Sequence, residues 1–362
     1  MLCTSLPVRE APLGTCRSAH RPERGGDEGF GWGRLRPGGG GTGTDRSRQT
    51  VAVGSEETDD GGRAGLALVC GAGVVWGTIG PVVDVVVRRS ELTVWTAGAY
   101  RAVWALLALA AVVAVLRRGA ACARVLRRSA SRTAAVGVLT GAFQVLFFVS
   151  VGAGGVTIAT VVALGVAPLA PMVLRSALRR RPPGRGEVVA VVCAVSGLLL
   201  VSLGGAGATD PAHPGLAVAA AVGSGVAFGL SAEVAGPLTQ VHDSLAVAAL
   251  STGVAALVVL VAGLAVAVPG GLPLGPGDPG TVLLVAYLGV GTMALAYVLF
   301  FAGLRTTASG TAVLAALLEP VTAVVIAVLL LGERLTVVSA VGAVLIVATI
   351  ASLGRRPVVV PR

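Results

Sequence analysis

Past residue 63 the chain is a succession of long apolar runs joined by short connections, several of which carry glycine or proline. Ten runs approach the roughly 20 residues a helix needs to cross hydrocarbon. They lie at 64–86, 93–116, 133–152, 155–175, 187–205, 215–236, 244–268, 279–303, 307–331 and 336–354. Such runs are predicted to be helices, because no other open structure satisfies its own backbone groups in lipid. Residues 1–62 differ: they are rich in Gly, Pro, Arg and acids, with Gly38-Gly39-Gly40-Gly41 among them. A segment of that composition cannot bury enough apolar surface to fold, and it lacks the apolar stretch of a signal peptide. It reads either as a disordered cytoplasmic tail or as an over-extended gene start, and residues 355–362 read as a cytoplasmic C-terminal tail.

The runs also repeat. Val145-Leu146-Phe147-Phe148 returns as Val298-Leu299-Phe300-Phe301, Pro168 as Pro320, and Ser202-Leu203-Gly204 as Ser352-Leu353-Gly354. The offsets are 153, 152 and 150 residues, so the membrane portion is one five-helix unit written twice, at 63–205 and 206–354. An odd number of crossings per unit makes the second copy enter the membrane in the opposite sense. Duplicated halves of inverted topology, each with a proline-broken helix, point to a transporter whose site lies between the halves.

Charge fixes the orientation. Apolar residues make up 54% of the chain and charged residues 13%, with a mean hydropathy of +0.86; soluble domains carry about 25% charged residues. All 28 basic residues are arginine. Residues 63–362 carry 20 of them against nine acids, mostly in short connections, which argues for membrane orientation and against nucleic-acid binding. With both termini inside, Arg117, Arg118, Arg124, Arg127, Arg128 and Arg132 after the second helix fall in the cytoplasm. So do Arg175, Arg179, Arg180, Arg181 and Arg185 after the fourth, together with Arg63, Arg305 and the tail arginines Arg355, Arg356 and Arg362. Arg88, Arg89 and Arg334 fall outside, a ratio of sixteen to three. The connection at 175–185 is arginine-rich, whereas its counterpart Leu331-Gly332-Glu333-Arg334 is almost stripped of arginine, as inversion requires.

These residues resemble the EamA-type branch of the drug/metabolite transporter superfamily. The likeness rests on Trp76-Gly77, Arg101, Leu318-Glu319-Pro320, Leu331-Gly332-Glu333-Arg334-Leu335 and the Gly342–Ile346 run, and it spans about 64–354. The resemblance implies secondary transport or facilitated export of small metabolites, often amino acids. It further implies a central cavity bounded by the first, third, fourth, sixth, eighth and ninth helices. This chain departs from a symmetric plan at one point: Ala167 precedes Pro168, but Glu319 precedes Pro320.

The residues themselves give the candidate chemistry. Glu319 lies about twelve residues into its run, close to the midplane, where an ionisable group is costly unless paired or solvated. It reads either as a carboxyl that binds an amine or couples a proton, or as a structural hydrogen-bonding group. Pro320 removes a backbone donor and releases a carbonyl toward substrate or water. Arg101 and Asp84 fall at similar depth and form a candidate outer gate pair; Arg101 is alternatively a carboxylate ligand or a snorkelling interfacial residue. Aromatic residues are only 4% of the chain but cluster in equivalent helices, as Phe143, Phe147 and Phe148 and as Tyr287, Tyr297, Phe300 and Phe301. Gln144 and Tyr297 align between the copies. This set, with Trp76, reads as a cavity wall or as lipid-facing aromatics. Pro168 and Pro171 are expected to bend the fourth helix, and Glu233 reads as interfacial.

Nothing suggests an enzyme. Cys3, Cys16, Cys70, Cys122 and Cys193 show neither disulfide nor metal spacing, and His20, His213 and His242 fall in the tail or in loops. No catalytic residue, metal or cofactor is expected, a proton being the one candidate coupling species. The expected partners are a small-molecule substrate and the lipid bilayer of the plasma (inner) membrane. The chain is expected as a monomer or homodimer.

Overall fold

The computed structural model describes residues 45–204, 212–272, 275, 277–331 and 335–354, and every regular element in it is helical. The expectations for Glu333, Arg334 and the C-terminal arginines fall outside the described residues. Residues from Gln49 onward form one compact unit. The helices of the chain are α1 (Asp45–Gly77), α2 (Ile79–Arg89), α3 (Val94–Val115), α4 (Gly119–Val166), α5 (Leu169–Arg179), α6 (Arg185–Gly204) and α7 (Pro214–Val241). They continue as α8 (Ser244–Ala267), α9 (Pro279–Tyr287), a π-helical stretch at Leu288–Leu295, α10 (Ala296–Leu304), α11 (Ser309–Ala316), α12 (Leu318–Leu331) and α13 (Val337–Gly354). Helix reaches back to Asp45, into the segment read from composition as a tail. Extending an existing helix needs no new nucleus, and 45–63 contains no proline.

Nine helical stretches among the described residues are long and apolar enough to cross a membrane. One of them, Gly119–Arg179, runs for 61 residues, about 90 Å of helix against a hydrocarbon core of about 30 Å. It is folded back on itself at Gly155, whose φ of 85° and ψ of 167° suit glycine alone. The contacts with α7 show the reversal. Before Gly155, the register runs antiparallel: Ser150 Oγ donates to the Ala217 carbonyl and Ser224 Oγ to that of Phe143. After it, Gly225 lies against Ala163 and Gly229 against Ala167, so the register runs parallel. Among the described residues ten stretches of crossing length result, as the apolar runs predict.

Breaks inside the crossings follow proline. α11 ends at Ala316, the residue whose carbonyl Pro320 leaves without an N–H donor. α4 likewise ends at Val166 ahead of Pro168. α1 gives way to α2 at Thr78, directly after Gly77, the residue whose carbonyl Pro81 deprives of its donor. Some helix starts are capped by side chains, whereas those of α4, α7 and α11 are not. Thr93 and Thr96 form a reciprocal capping box on α3, and Asp243 accepts from the Ala246 amide on α8. Asp278 takes the Thr281 hydroxyl together with the Thr281 and Gly280 amides, which holds its carboxyl below the ordinary carboxylate range.

Packing between the two copies is by close backbone approach, as expected where lipid removes the hydrophobic drive and small residues set the interface. Gly73 and Gly77 on α1 lie against the carbonyls of Ala315 and Glu319; Gly225 and Gly229 on α7 lie against those of Ala163 and Ala167. Every member of the first set is 152 residues from its counterpart in the second. The same offset relates Trp76 to Phe228, whose rings meet edge to face at 5.9 Å. The halves are therefore related by a pseudo-twofold axis that passes between these two rings. Gly197 of α6 and Gly342 of α13 pack directly on one another's carbonyls.

Candidate functional site

A cavity of about 80 Å³ lies between the two copies, room for several water molecules. Its aromatic wall is built from both repeats. Phe143, Phe147 and Phe148 come from the first leg of α4, Trp76 from α1, Phe228 from α7 and Tyr297 from α10. The rings interlock: Trp76 and Tyr297 have centroids 5.2 Å apart, and Phe143 and Phe228 4.9 Å. Leu164 and Ile79 complete the apolar lining.

Three polar side chains face this sleeve: Arg101 from α3, Gln144 from α4 and Glu319 from α12. Arg101 is 8% exposed; its Nη2 donates to the Thr292 carbonyl at 3.4 Å, while its buried Nε has no partner. The Oε1 of Gln144 is likewise buried without a partner, and its Nε2 reaches the Thr140 carbonyl only at 3.5 Å. A buried polar atom left unpaired costs about 1–3 kcal/mol, a cost that a polar partner in the cavity would relieve. Glu319 lies deep in the protein yet keeps accessible surface, consistent with a carboxyl facing the cavity. Arg101, Glu319 and Tyr297 all line this one cavity. The site thus offers one cationic and one anionic group inside an aromatic enclosure.

The π-helical stretch supplies the anchor that holds this geometry. A π-turn widens the helix and loosens its ladder. Here the Thr292 carbonyl accepts from Trp76 Nε1 at 2.9 Å as well as from Arg101, and the Thr292 hydroxyl turns back to the Leu288 carbonyl. One carbonyl of the second copy therefore orients two cavity side chains of the first. Nothing in the sequence marks Thr292. Phe228, also missed, was signalled by its 152-residue offset from Trp76.

Trp76, Arg101, Gln144, Phe148, Tyr297 and Glu319, picked out in the sequence, are all brought to this one cavity. Pro320 is buried and does not line it, and the Ala316 carbonyl it releases lies against Gly73 rather than toward a ligand. The ion pair expected between Asp84 and Arg101 is not formed. Asp84 binds Arg88 one helical turn away, with a 2.8 Å contact on the exposed side of α2, while Arg101 turns inward. Two groups at similar depth need not share an azimuth, and an i,i+4 partner is always within reach. Tyr287 is half exposed and its hydroxyl meets that of Thr78 at 2.8 Å; Phe300 and Phe301 are buried behind the wall.

Glu233 is not merely interfacial. Ser309 Oγ of α11 donates to its carboxylate, which also lies 3.7 Å from Arg175 Nε. Arg175 in turn donates to Glu187 at 2.8 Å and to the Pro171 carbonyl at 3.1 Å. This network ties α5 and α6 of the first copy to α7 and α11 of the second, on the arginine-rich face of the bundle. At the pseudo-equivalent positions, offset by 152, stand Pro81, Thr157 and Ala327. The other face has no such charged clasp at those positions.

The profile of the EamA-like transporter family matches this chain twice, over residues 63–203 and 215–355. In Bacillus subtilis (strain 168), a protein named "Uncharacterized transporter YwfM" is 27% identical over 202 residues. That match covers 55% of this chain and 64% of the relative, so the alignment spans a little under two thirds of the relative's length. A solved structure described only as "Crystal structure of protein" shares the fold, with a TM-score of 0.62 at 18% identity, over 79% of this chain and 95% of that one.

Proposed function

Because this chain belongs to the EamA-like transporter family, a family of transporters and not of enzymes, we propose that it exports or exchanges a small organic molecule by alternating access. The substrate class this reading favours is amino-acid-like or drug-like. The observation that carries it is the placement of Arg101 and Glu319 in one aromatic cavity between the two repeats. A zwitterion satisfies both charges at once, and its apolar part stacks on Trp76, Phe148 or Tyr297. Rocking the halves about the glycine contacts opens the cavity to each side in turn. The arginine-rich face is cytoplasmic in this reading, with both termini inside and the chain in the plasma membrane.

Glu319 is the carboxylate at the cavity and so the group on which proton coupling would act. A second reading, an uncoupled facilitator, is favoured by the same geometry in one respect: Glu319 also serves to neutralise Arg101. Uptake into proteoliposomes with and without an imposed pH gradient separates the two. Coupling predicts a rate that follows the gradient; a rate indifferent to it leaves the facilitator. A non-transporting scaffold or receptor is tested by cysteines placed at Gln144, Tyr297 and Glu319. Transport predicts labelling by aqueous thiol reagents, and uniform inaccessibility from both sides would sink it.

The clasp of Arg175, Glu233 and Ser309 is then the closure of the cytoplasmic end. Arg175→Ala is expected to raise severalfold the rate at which a cysteine at position 144 is labelled from the cytoplasmic side. Labelling from the opposite side should fall, because opening one end closes the other. No change in either rate would remove the clasp from the gating cycle.

A further inference from the structure

Residues 116–132, from the end of α3 into the first turns of α4, carry six arginines, and membrane orientation explains their charge but not their arrangement. Orientation needs cations in the loop; it does not need a cleft. The structure has one, of about 210 Å³, between the first turns of α4 and the α7–α8 turn. Arg124 and Arg128, one helical turn apart, line one side, and His242 and Asp243 line the other.

Both sides are fixed in place. Arg117, in the left-handed region at φ 51°, turns the chain from α3 into α4. Arg118 Nη1 then pairs with Asp243 at 2.9 Å, and the other Asp243 oxygen caps α8. The one carboxylate in the cleft is thereby committed to other partners. Ser129, with φ −147° and ψ 27°, kinks α4 so that Gly119–Arg128 forms a separate piece ahead of the crossing, and its hydroxyl meets His242 Nε2 at 2.9 Å. Ala121 and Val125 seat that piece on the bundle. Among the described residues, no carboxylate pairs with Arg124 or Arg128. Val241, at the end of α7, is an exposed apolar side chain in the lining of the cleft.

We propose that this cleft binds the phosphate headgroup of an anionic phospholipid. Two unpaired guanidiniums and an imidazole supply charge-assisted donors for phosphate oxygens. Val241 offers an apolar contact to the acyl chains, which a free phosphate would not use. A bound headgroup would join the first turns of α4 in the first repeat to the α7–α8 turn of the second, and so favour one arrangement of the halves. The lipid site stands apart from the central cavity and does not depend on which substrate is carried.

The test is thermal unfolding of the full-length protein purified in detergent, titrated with phosphatidylglycerol, phosphatidylcholine or inorganic phosphate. Phosphatidylglycerol is expected to raise the unfolding midpoint saturably, at concentrations where the other two leave it unchanged. The double variant R124Q/R128Q is expected to weaken that response by about 30-fold, each cation near an anionic surface contributing about one kcal/mol. R179Q/R181Q removes the same charge from the same face outside the cleft and should keep the response. Equal loss in the two double variants would assign the effect to surface charge at large and overturn the cleft. Equal protection by inorganic phosphate would overturn the lipid. If R124Q/R128Q fails to fold, R124Q alone against R179Q alone gives the same comparison. None of these readouts requires transport, so failure here and failure of the transporter reading are separate results.

Discussion

Glu319→Gln is expected to lower substrate flux by about 100-fold, the effect of removing one partner from a buried charged contact worth about 3 kcal/mol. The substitution keeps the volume of the side chain, deletes its charge and replaces one acceptor oxygen by an NH2 donor. Two consequences follow, and they separate. The cavity loses its anion, so a substrate amine has no counter-charge. Arg101 also loses its neighbour and becomes a buried cation held by the Thr292 carbonyl alone, a situation that costs stability. The double variant R101Q/E319Q therefore discriminates between site and scaffold. If the charges matter mainly to each other, the double variant regains the thermal stability lost in Glu319→Gln, and flux stays lost. If flux returns with stability, the two residues are architecture and the zwitterion reading falls. The measurements are initial uptake rates in proteoliposomes and unfolding midpoints in detergent, read as a double-mutant cycle.

The sequence carried the positions of these residues along their helices much better than the directions they face. Depth is legible because the hydrocarbon sets a ruler of about 20 residues and arginine marks its ends. Hence the ten crossings and the duplication could be read in advance. Azimuth is a different matter. An aqueous helix betrays its buried face by an apolar stripe, but a helix apolar all round has none. α3 is such a helix, and so depth alone pairs Arg101 with Asp84, when its azimuth in fact turns it to Thr292. The interior break at Thr78, directly after Trp76-Gly77, escapes for a related reason. Pro81 lies within a run that is apolar on both sides, and hydropathy does not register a missing N–H. The π-helical stretch had no signal at all, since Leu288–Leu295 is small and apolar like its surroundings. What did report azimuth was the repeat itself. Positions 152 residues apart face the same axis, which is how Phe228 could have been placed opposite Trp76.

That symmetry makes a second large effect predictable at residues outside the cavity lining. A Cβ on Gly77 would stand 2.6 Å from the Glu319 carbonyl oxygen and 2.5 Å from Thr322 Cβ. Neither obstacle is the flexible end of a side chain, so α1 and α12 must move apart. Overpacking of this kind costs about 1–3 kcal/mol even where neighbours can relax. Gly77→Val should sit at or above the upper end, because a branched side chain meets backbone. Gly229→Val meets the Ala167 carbonyl and Pro171 Cδ in the same way, so the two variants should lose similar stability. Their effects on transport should nevertheless differ, because the copies differ in chemistry at that contact. Gly77 presses on the residue that carries the carboxyl, whereas Gly229 presses on Ala167, which carries no charge. Gly77→Val is expected to lose transport beyond what its stability loss explains; Gly229→Val should lose it only in proportion to the folded protein that remains. Gly152→Val, where a Cβ meets nothing within 4 Å, supplies the control on an exposed helical glycine. Unfolding midpoints and uptake per folded molecule decide the matter. Equal residual transport in Gly77→Val and Gly229→Val would mean that the position of Glu319 is not what sets the rate.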